Sequence, residues 1–88
     1  MITVTRFTAP WCAPCRMLAP MFKQMETDMP DTKFETIDVD EFPEMASTHN
    51  IRSVPTVVVH NGDTGKTISL VGANSKTTYL NAITDIQV

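Results

Sequence analysis

No run of lysine or arginine occurs in this chain of 88 residues; 7 basic residues lie scattered among 10 acidic ones, for a net charge of −3. Nucleic acids and anionic membrane surfaces are bound through clustered cations, so neither is an expected partner. No apolar stretch approaches the ~20 residues of a membrane span. At the N-terminus Ile2 and Val4 alternate with Thr3, Thr5 and Arg6, which leaves no apolar run for a leader peptide. The expectation is a cytoplasmic monomer. Cysteine is scarce as well: Cys12 and Cys15 are the whole supply of 2. A structural bridge gains most of its benefit by closing a long loop, and a Cys-x-x-Cys bridge closes almost none. The pair is therefore expected to do chemistry rather than to staple the fold. Repeats, linkers and low-complexity segments are absent, and the length suits one domain over residues 1–88. With 42% hydrophobic and 19% charged residues, the composition is that of a globular domain and not of a disordered chain.

The hydrophobic pattern alternates between two periods. Ile2 to Thr8 and Lys33 to Val39 alternate as strands do, and Pro55 to His60 is nearly all apolar, as for a strand covered on both faces. From about Cys12 to Asp28, residues Cys15, Leu18, Met21, Phe22 and Met25 fall at helical spacing. Pro14 suits the first turn, where its missing N–H costs nothing, whereas Pro20 deprives the Arg16 carbonyl of its partner and predicts a kink. Phe42 to His49 reads as a short helix with Asp40 as cap and Asn50 as stop. Asn61-Gly62 is a hairpin signal returning through Lys66 to Val71, and Ser75 to about Ile86 forms a last helix burying Leu80, Ile83 and Ile86. The order β-α-β-α-β-β-α predicts an α/β fold, with a four-stranded mixed sheet flanked by three helices. Cys12 and Cys15 fall between the first strand and the first helix, where open α/β sheets place their sites.

Only a thiolate attacks a disulfide, and a free thiol with pKa near ~8.5 is mostly protonated at neutral pH. A cysteine at a helix N-terminus faces unpaired N–H groups and the positive end of the helix dipole, which favour its anion. Cys12 holds that position, and Cys15 lies one turn further in and deeper. Cys12 is thus the expected nucleophile and Cys15 the expected resolving thiol. A closed zinc site needs two further ligands. Outside the carboxylates only His49 and His60 remain, neither at paired-ligand spacing, and no metal is expected. Met17, Met21, Met25 and Met29 recur every fourth residue and are read as the buried side of the helix. Asp38, Asp40 and Glu41 read as a solvated acidic edge, and His49 and His60 as surface residues.

The segment Ala9-Pro10-Trp11-Cys12-Ala13-Pro14-Cys15-Arg16-Met17-Leu18-Ala19-Pro20 resembles the active-site segment of the thioredoxin family. The resemblance continues through Ile37-Asp38-Val39-Asp40, Ile51-Arg52-Ser53-Val54-Pro55-Thr56, Asn61-Gly62 and Val71-Gly72-Ala73-Asn74-Ser75-Lys76. It implies a thioredoxin-like fold, a cis peptide bond before Pro55, and an apolar docking surface beside the reactive sulfur. On that resemblance Cys12 and Cys15 are catalytic, and Trp11, Pro14, Val54, Pro55, Gly72 and Ala73 face the substrate. Three departures stand out. The family's usual N-terminal strand and helix have no counterpart here, and Ala13 stands where glycine is common. Arg6 occupies the position of the family's buried acid, with Thr36 in place of its lysine partner. Two readings of Arg6 stay open: a cation that lowers the Cys15 pKa, or a surface residue reaching water.

The function so implied is reduction of protein disulfides by dithiol–disulfide exchange, with no cofactor beyond the redox-active Cys12–Cys15 disulfide. Thioredoxin reductase or the glutathione system would act as electron donor. A glutaredoxin-like enzyme acting on glutathione mixed disulfides is one alternative, with Arg16 and Arg52 as cations for the glutathione carboxylates. A thioredoxin-shaped binding subunit with incidental cysteines is the other.

Overall fold

In the computed structural model, which describes Met1–Val88, the elements follow the expected order. They are β1 (Ile2–Thr8), α1 (Ala13–Asp28), β2 (Lys33–Asp38), α2 (Pro43–Thr48), β3 (Thr56–Asn61), β4 (Thr67–Val71) and α3 (Lys76–Ile86). The four strands form one sheet in the order β2-β1-β3-β4. β1 and β2 pair in parallel, with Arg6 opposite Thr36, and the β1–β3 and β3–β4 pairs are antiparallel. The first strand to form in sequence is therefore a central strand, and the chain leaves its C-terminal end directly into the cysteine segment.

One face of the sheet carries the main core. Val4 of β1 and Val57 and Val59 of β3 pack with Leu18, Phe22 and Met25 of α1 and with Tyr79, Ala82, Ile83 and Ile86 of α3. Each large apolar side chain so buried contributes about 1.5–3 kcal/mol, and together they seat α1 and α3 against the strands that carry the site. The opposite face has a smaller cluster of Phe7, Ile37 and Val58, against which Val39, Ile51 and Val54 lean. Alternation along β3 explains its unbroken apolar run, because Val57 and Val59 face one cluster and Val58 the other.

Three local expectations are corrected. Asp40 does not cap α2; its N-cap is Phe42, with Pro43 in the first turn, and Asp38 instead receives the Asp40 and Glu41 amides through its Oδ1 at 2.9 and 3.3 Å. The hairpin signalled by Asn61-Gly62 is present, with β3 and β4 antiparallel across residues 62–66. Asn61 is the buried last residue of β3, its amide donates to the Lys66 carbonyl at 2.9 Å, and Gly65 supplies the left-handed residue at φ 79°. The Asn61 side chain donates to the Ile86 carbonyl at 2.8 Å, so a turn-like sequence signal serves to hold the end of α3. Met17 is exposed while Met25 is fully buried, because a strict four-residue repeat drifts around a helix of 3.6 residues per turn. In α3 the deepest residue is Tyr79, at 0% exposure, and Leu80 is only half-buried. α1 runs on past Pro20 to Asp28.

Candidate active site

Cys12 is the N-cap residue of α1, with extended backbone at φ −95° and ψ 105°, and Pro14 stands in the first turn. The capping atom is its sulfur: the Cys15 amide donates to Cys12 Sγ at 3.2 Å. Sulfur thus occupies the place where a serine or aspartate oxygen usually receives an orphan helix N–H. Any negative charge that forms there meets this donor and the helix dipole, which is the physical basis for a stabilised thiolate. Cys12 and Cys15 are joined in a disulfide, with Cα atoms 5.2 Å apart. Both are covered in this oxidised state, Cys12 at 5% and Cys15 at 0% exposure, so Cys15 is the deeper of the two.

The walls of the pair come from distant parts of the chain. Ala9 is buried with the two cysteines, and Val39 just after β2 and Val54 from the segment before β3 pack against them. The Val54–Pro55 peptide bond is cis, and Pro55 is buried. Thr56 fixes that segment from below, its hydroxyl donating to the Ser53 carbonyl at 2.7 Å. The Gly72 amide donates to the Pro55 carbonyl at 2.8 Å, and Gly72 has φ 84°, a conformation that disfavours any residue with a Cβ. Trp11 is 67% exposed beside the sulfurs, yet its indole N–H donates to Asp40 at 2.8 Å. Trp11, Val39, Ala46, Ile51, Arg52, Ser53 and Val54 line a mostly apolar cleft of about 150 Å³.

Of the residues singled out in the sequence, Cys12, Cys15 and Val54 meet directly, Trp11 shares the cleft with Val54, and Pro55 is hydrogen-bonded to Gly72. Pro14 and Ala73 are exposed and lie outside that cleft. Arg6 is buried at 8% exposure and donates through Nη1 to the Cys15 carbonyl at 3.4 Å, so it does not reach out into water. Three supporting residues escaped the sequence reading. Asp40 orients Trp11, and Arg16 donates to the Pro10 carbonyl at 2.7 Å, bracing the turn before the cysteines. The Tyr79 hydroxyl accepts from the Asn74 amide at 3.0 Å and lies 3.3 Å from the Gly72 carbonyl, so it holds the 72–74 loop. A sequence signal did exist for Tyr79, because 79, 82, 83 and 86 form the buried stripe of α3.

The family described as Thioredoxin matches residues 1–85. Thioredoxin H4-1 of Oryza sativa subsp. japonica is 42% identical over 74 residues, covering 83% of this chain and 55% of the rice protein. Thioredoxin 1 of Synechococcus elongatus is 40% identical over 78 residues, covering 88% of this chain and 72% of its own. Among solved structures, oxidised mitochondrial thioredoxin 3 from Saccharomyces cerevisiae superposes with a TM-score of 0.85 at 34% identity, over 96% of this chain and 77% of that one. Fasciola hepatica thioredoxin gives 0.86 at 32% identity, over 97% and 80% of the two chains. The chain spans about half the length of several of the curated relatives it matches, at 55%, 52% and 46% for two rice proteins and one from wheat. A disulfide-bonded cysteine pair at the N-cap of α1, a cis-proline segment against it and a match running from the first residue to the last helix have one joint meaning: the chain belongs to the thioredoxin family.

Proposed function

We propose that this domain reduces disulfides in proteins by dithiol–disulfide exchange, with Cys12 as nucleophile and Cys15 as resolving thiol. The observation that carries this reading is the Cys15 N–H aimed at Cys12 Sγ at a helix N-terminus, which favours the thiolate at Cys12 and leaves Cys15 deeper. In the first step the Cys12 thiolate attacks one substrate sulfur. A Cys12–substrate disulfide forms, the substrate S–S bond breaks, and the electron pair leaves on the second substrate sulfur. In the second step Cys15 attacks Cys12, the internal disulfide forms, and the other substrate sulfur departs as a thiol. The cleft between Trp11 and Val54 supports a substrate that presents an apolar side chain next to its cysteine. The Val54–Pro55 segment would pair with the backbone of such a substrate in extended form.

An external reductase or the glutathione system would return the internal disulfide to the dithiol. We place the domain in the cytoplasm, because both cysteines belong to the redox pair and none is spent on a structural bridge. No helix is long and apolar enough to cross a membrane. Insulin disulfide reduction, driven by thioredoxin reductase in one arm and by glutathione with its reductase in the other, tests the reading. Turnover in the first arm is expected. Turnover in neither arm would overturn the assignment as a reductase, and turnover with glutathione alone would move it to glutathione mixed disulfides.

A further inference from the structure

A charge lies inside this domain with no counter-charge bonded to it. Arg6 is 8% exposed on the sheet face covered by α1 and α3. Its Nη1 donates to the Cys15 carbonyl and its Nη2 to the Thr36 hydroxyl, both at 3.4 Å, and its Cζ lies 5.6 Å from the centroid of the Phe22 ring. Nε is buried without a partner. The ion pairs of the domain are Met1–Asp63, Lys33–Glu35 and Lys76–Asp28, and none includes Arg6. Lys23 and Glu26 of α1 and Glu35 of β2 line the same cleft of about 240 Å³ as Arg6, and Glu35 is paired with Lys33. Asp38, further along β2, is engaged by the Asp40 and Glu41 amides. Tyr79 faces it from α3, and its β3 partner Val57 carries no charge. Burial lowers the Arg6 pKa, with Tyr79 opposing that shift. A guanidinium nevertheless stays protonated.

Such a cation is relieved by any negative charge that forms next to it, and among the residues it hydrogen-bonds only Cys15 can acquire one. In the disulfide Cys15 is neutral. Reduction adds two electrons and two protons, and the Cys15 thiol can then release its proton to solvent and become a thiolate. We propose that Arg6 is a positioning residue that stabilises the Cys15 thiolate and thereby tilts the dithiol/disulfide equilibrium toward the reduced form. The proposal rests on the redox reading above. In the resolving step the Cys15 thiolate attacks Cys12, the Cys12–Cys15 bond forms and the Cys12–substrate bond breaks. The electron pair leaves on the substrate sulfur, which takes up a proton equivalent to the one Cys15 released.

The test is the equilibrium of the protein with reduced and oxidised glutathione from about pH 5 to about pH 10, a range that brackets the free thiol value near ~8.5. Wild type is compared with Arg6→Lys, which keeps the charge, and with Arg6→Met and Arg6→Gln, which remove it. Two charge-free variants guard against one that does not fold. An opposite charge in the neighbourhood of a buried thiol shifts it by about one pKa unit, or roughly tenfold in the equilibrium. Wild type and Arg6→Lys are therefore expected to be about tenfold more readily reduced than the charge-free variants at high pH, with the gap closing at low pH. A gap of equal size at every pH, as a purely structural role would give, or no gap at all, overturns the proposal. Insulin reduction by wild type is measured alongside. Its absence with the pH-dependent gap intact would remove the reductase reading and leave the Arg6–Cys15 coupling standing.

Discussion

The indole N–H of Trp11 donates to the carboxylate of Asp40 at 2.8 Å, across 29 positions of sequence. Trp11 is two-thirds exposed, so this bond holds an aromatic plane in place where packing alone would not. The bond also accounts for an acidic residue that the sequence presents as a helix cap and the fold uses elsewhere.

Removing that anchor is expected to affect recognition and leave stability alone. Asp40→Ala should raise the KM for protein disulfides several-fold, with kcat and Tm nearly unchanged, because Asp40 is an exposed residue. Steady-state insulin reduction checks the first part. The emission of the chain's 1 tryptophan, expected to become more mobile by anisotropy, checks the cause.

Tyr79 should behave in the opposite way. Tyr79→Phe keeps the buried ring against Phe22, whose centroid is 5.0 Å away, and deletes the hydroxyl that holds Asn74 and Gly72. The loss of one buried hydrogen-bonding group costs about 1 kcal/mol, equivalent to a Tm lower by about 4–8 °C in a domain of this size. Calorimetry of the oxidised protein measures it, and an unchanged Tm would show that the hydroxyl is not needed to hold the loop.

Asn61 offers a purely structural contrast. Its side chain donates to the Ile86 carbonyl at 2.8 Å and accepts the Asp63 amide at 2.9 Å. Asn61→Ala leaves a buried carbonyl at the end of α3 unpaired and should destabilise by about 1–3 kcal/mol in denaturant titration. The redox equilibrium with glutathione should not move.

The strands, helices and their order were legible because periodicity reports burial, and burial here follows one regular sheet with helices on it. The cysteine pair was legible because its spacing and its place before a helix are local. What stayed hidden is pairwise and distant: Trp11 with Asp40, Asn61 with Ile86 and Tyr79 with the 72–74 loop. In each case a polar atom finds a partner that no local pattern specifies. Arg6 shows the same limit from the other side. Strand alternation placed it on the face of Val4, but only the packed structure shows the guanidinium buried with one nitrogen unpartnered.

The central claim is a division of labour between two sulfurs, and trapping tests it most directly. Cys15→Ser, mixed with a protein disulfide substrate, should accumulate a stable mixed disulfide through Cys12, because the attacking thiol remains and the resolving one is gone. Cys12→Ser under the same conditions should trap nothing. Peptide mapping by mass spectrometry of the two reactions reads the outcome. Adducts on Cys12 in the first variant alone support the assignment; adducts on Cys15 in the second variant, or none in either, contradict it.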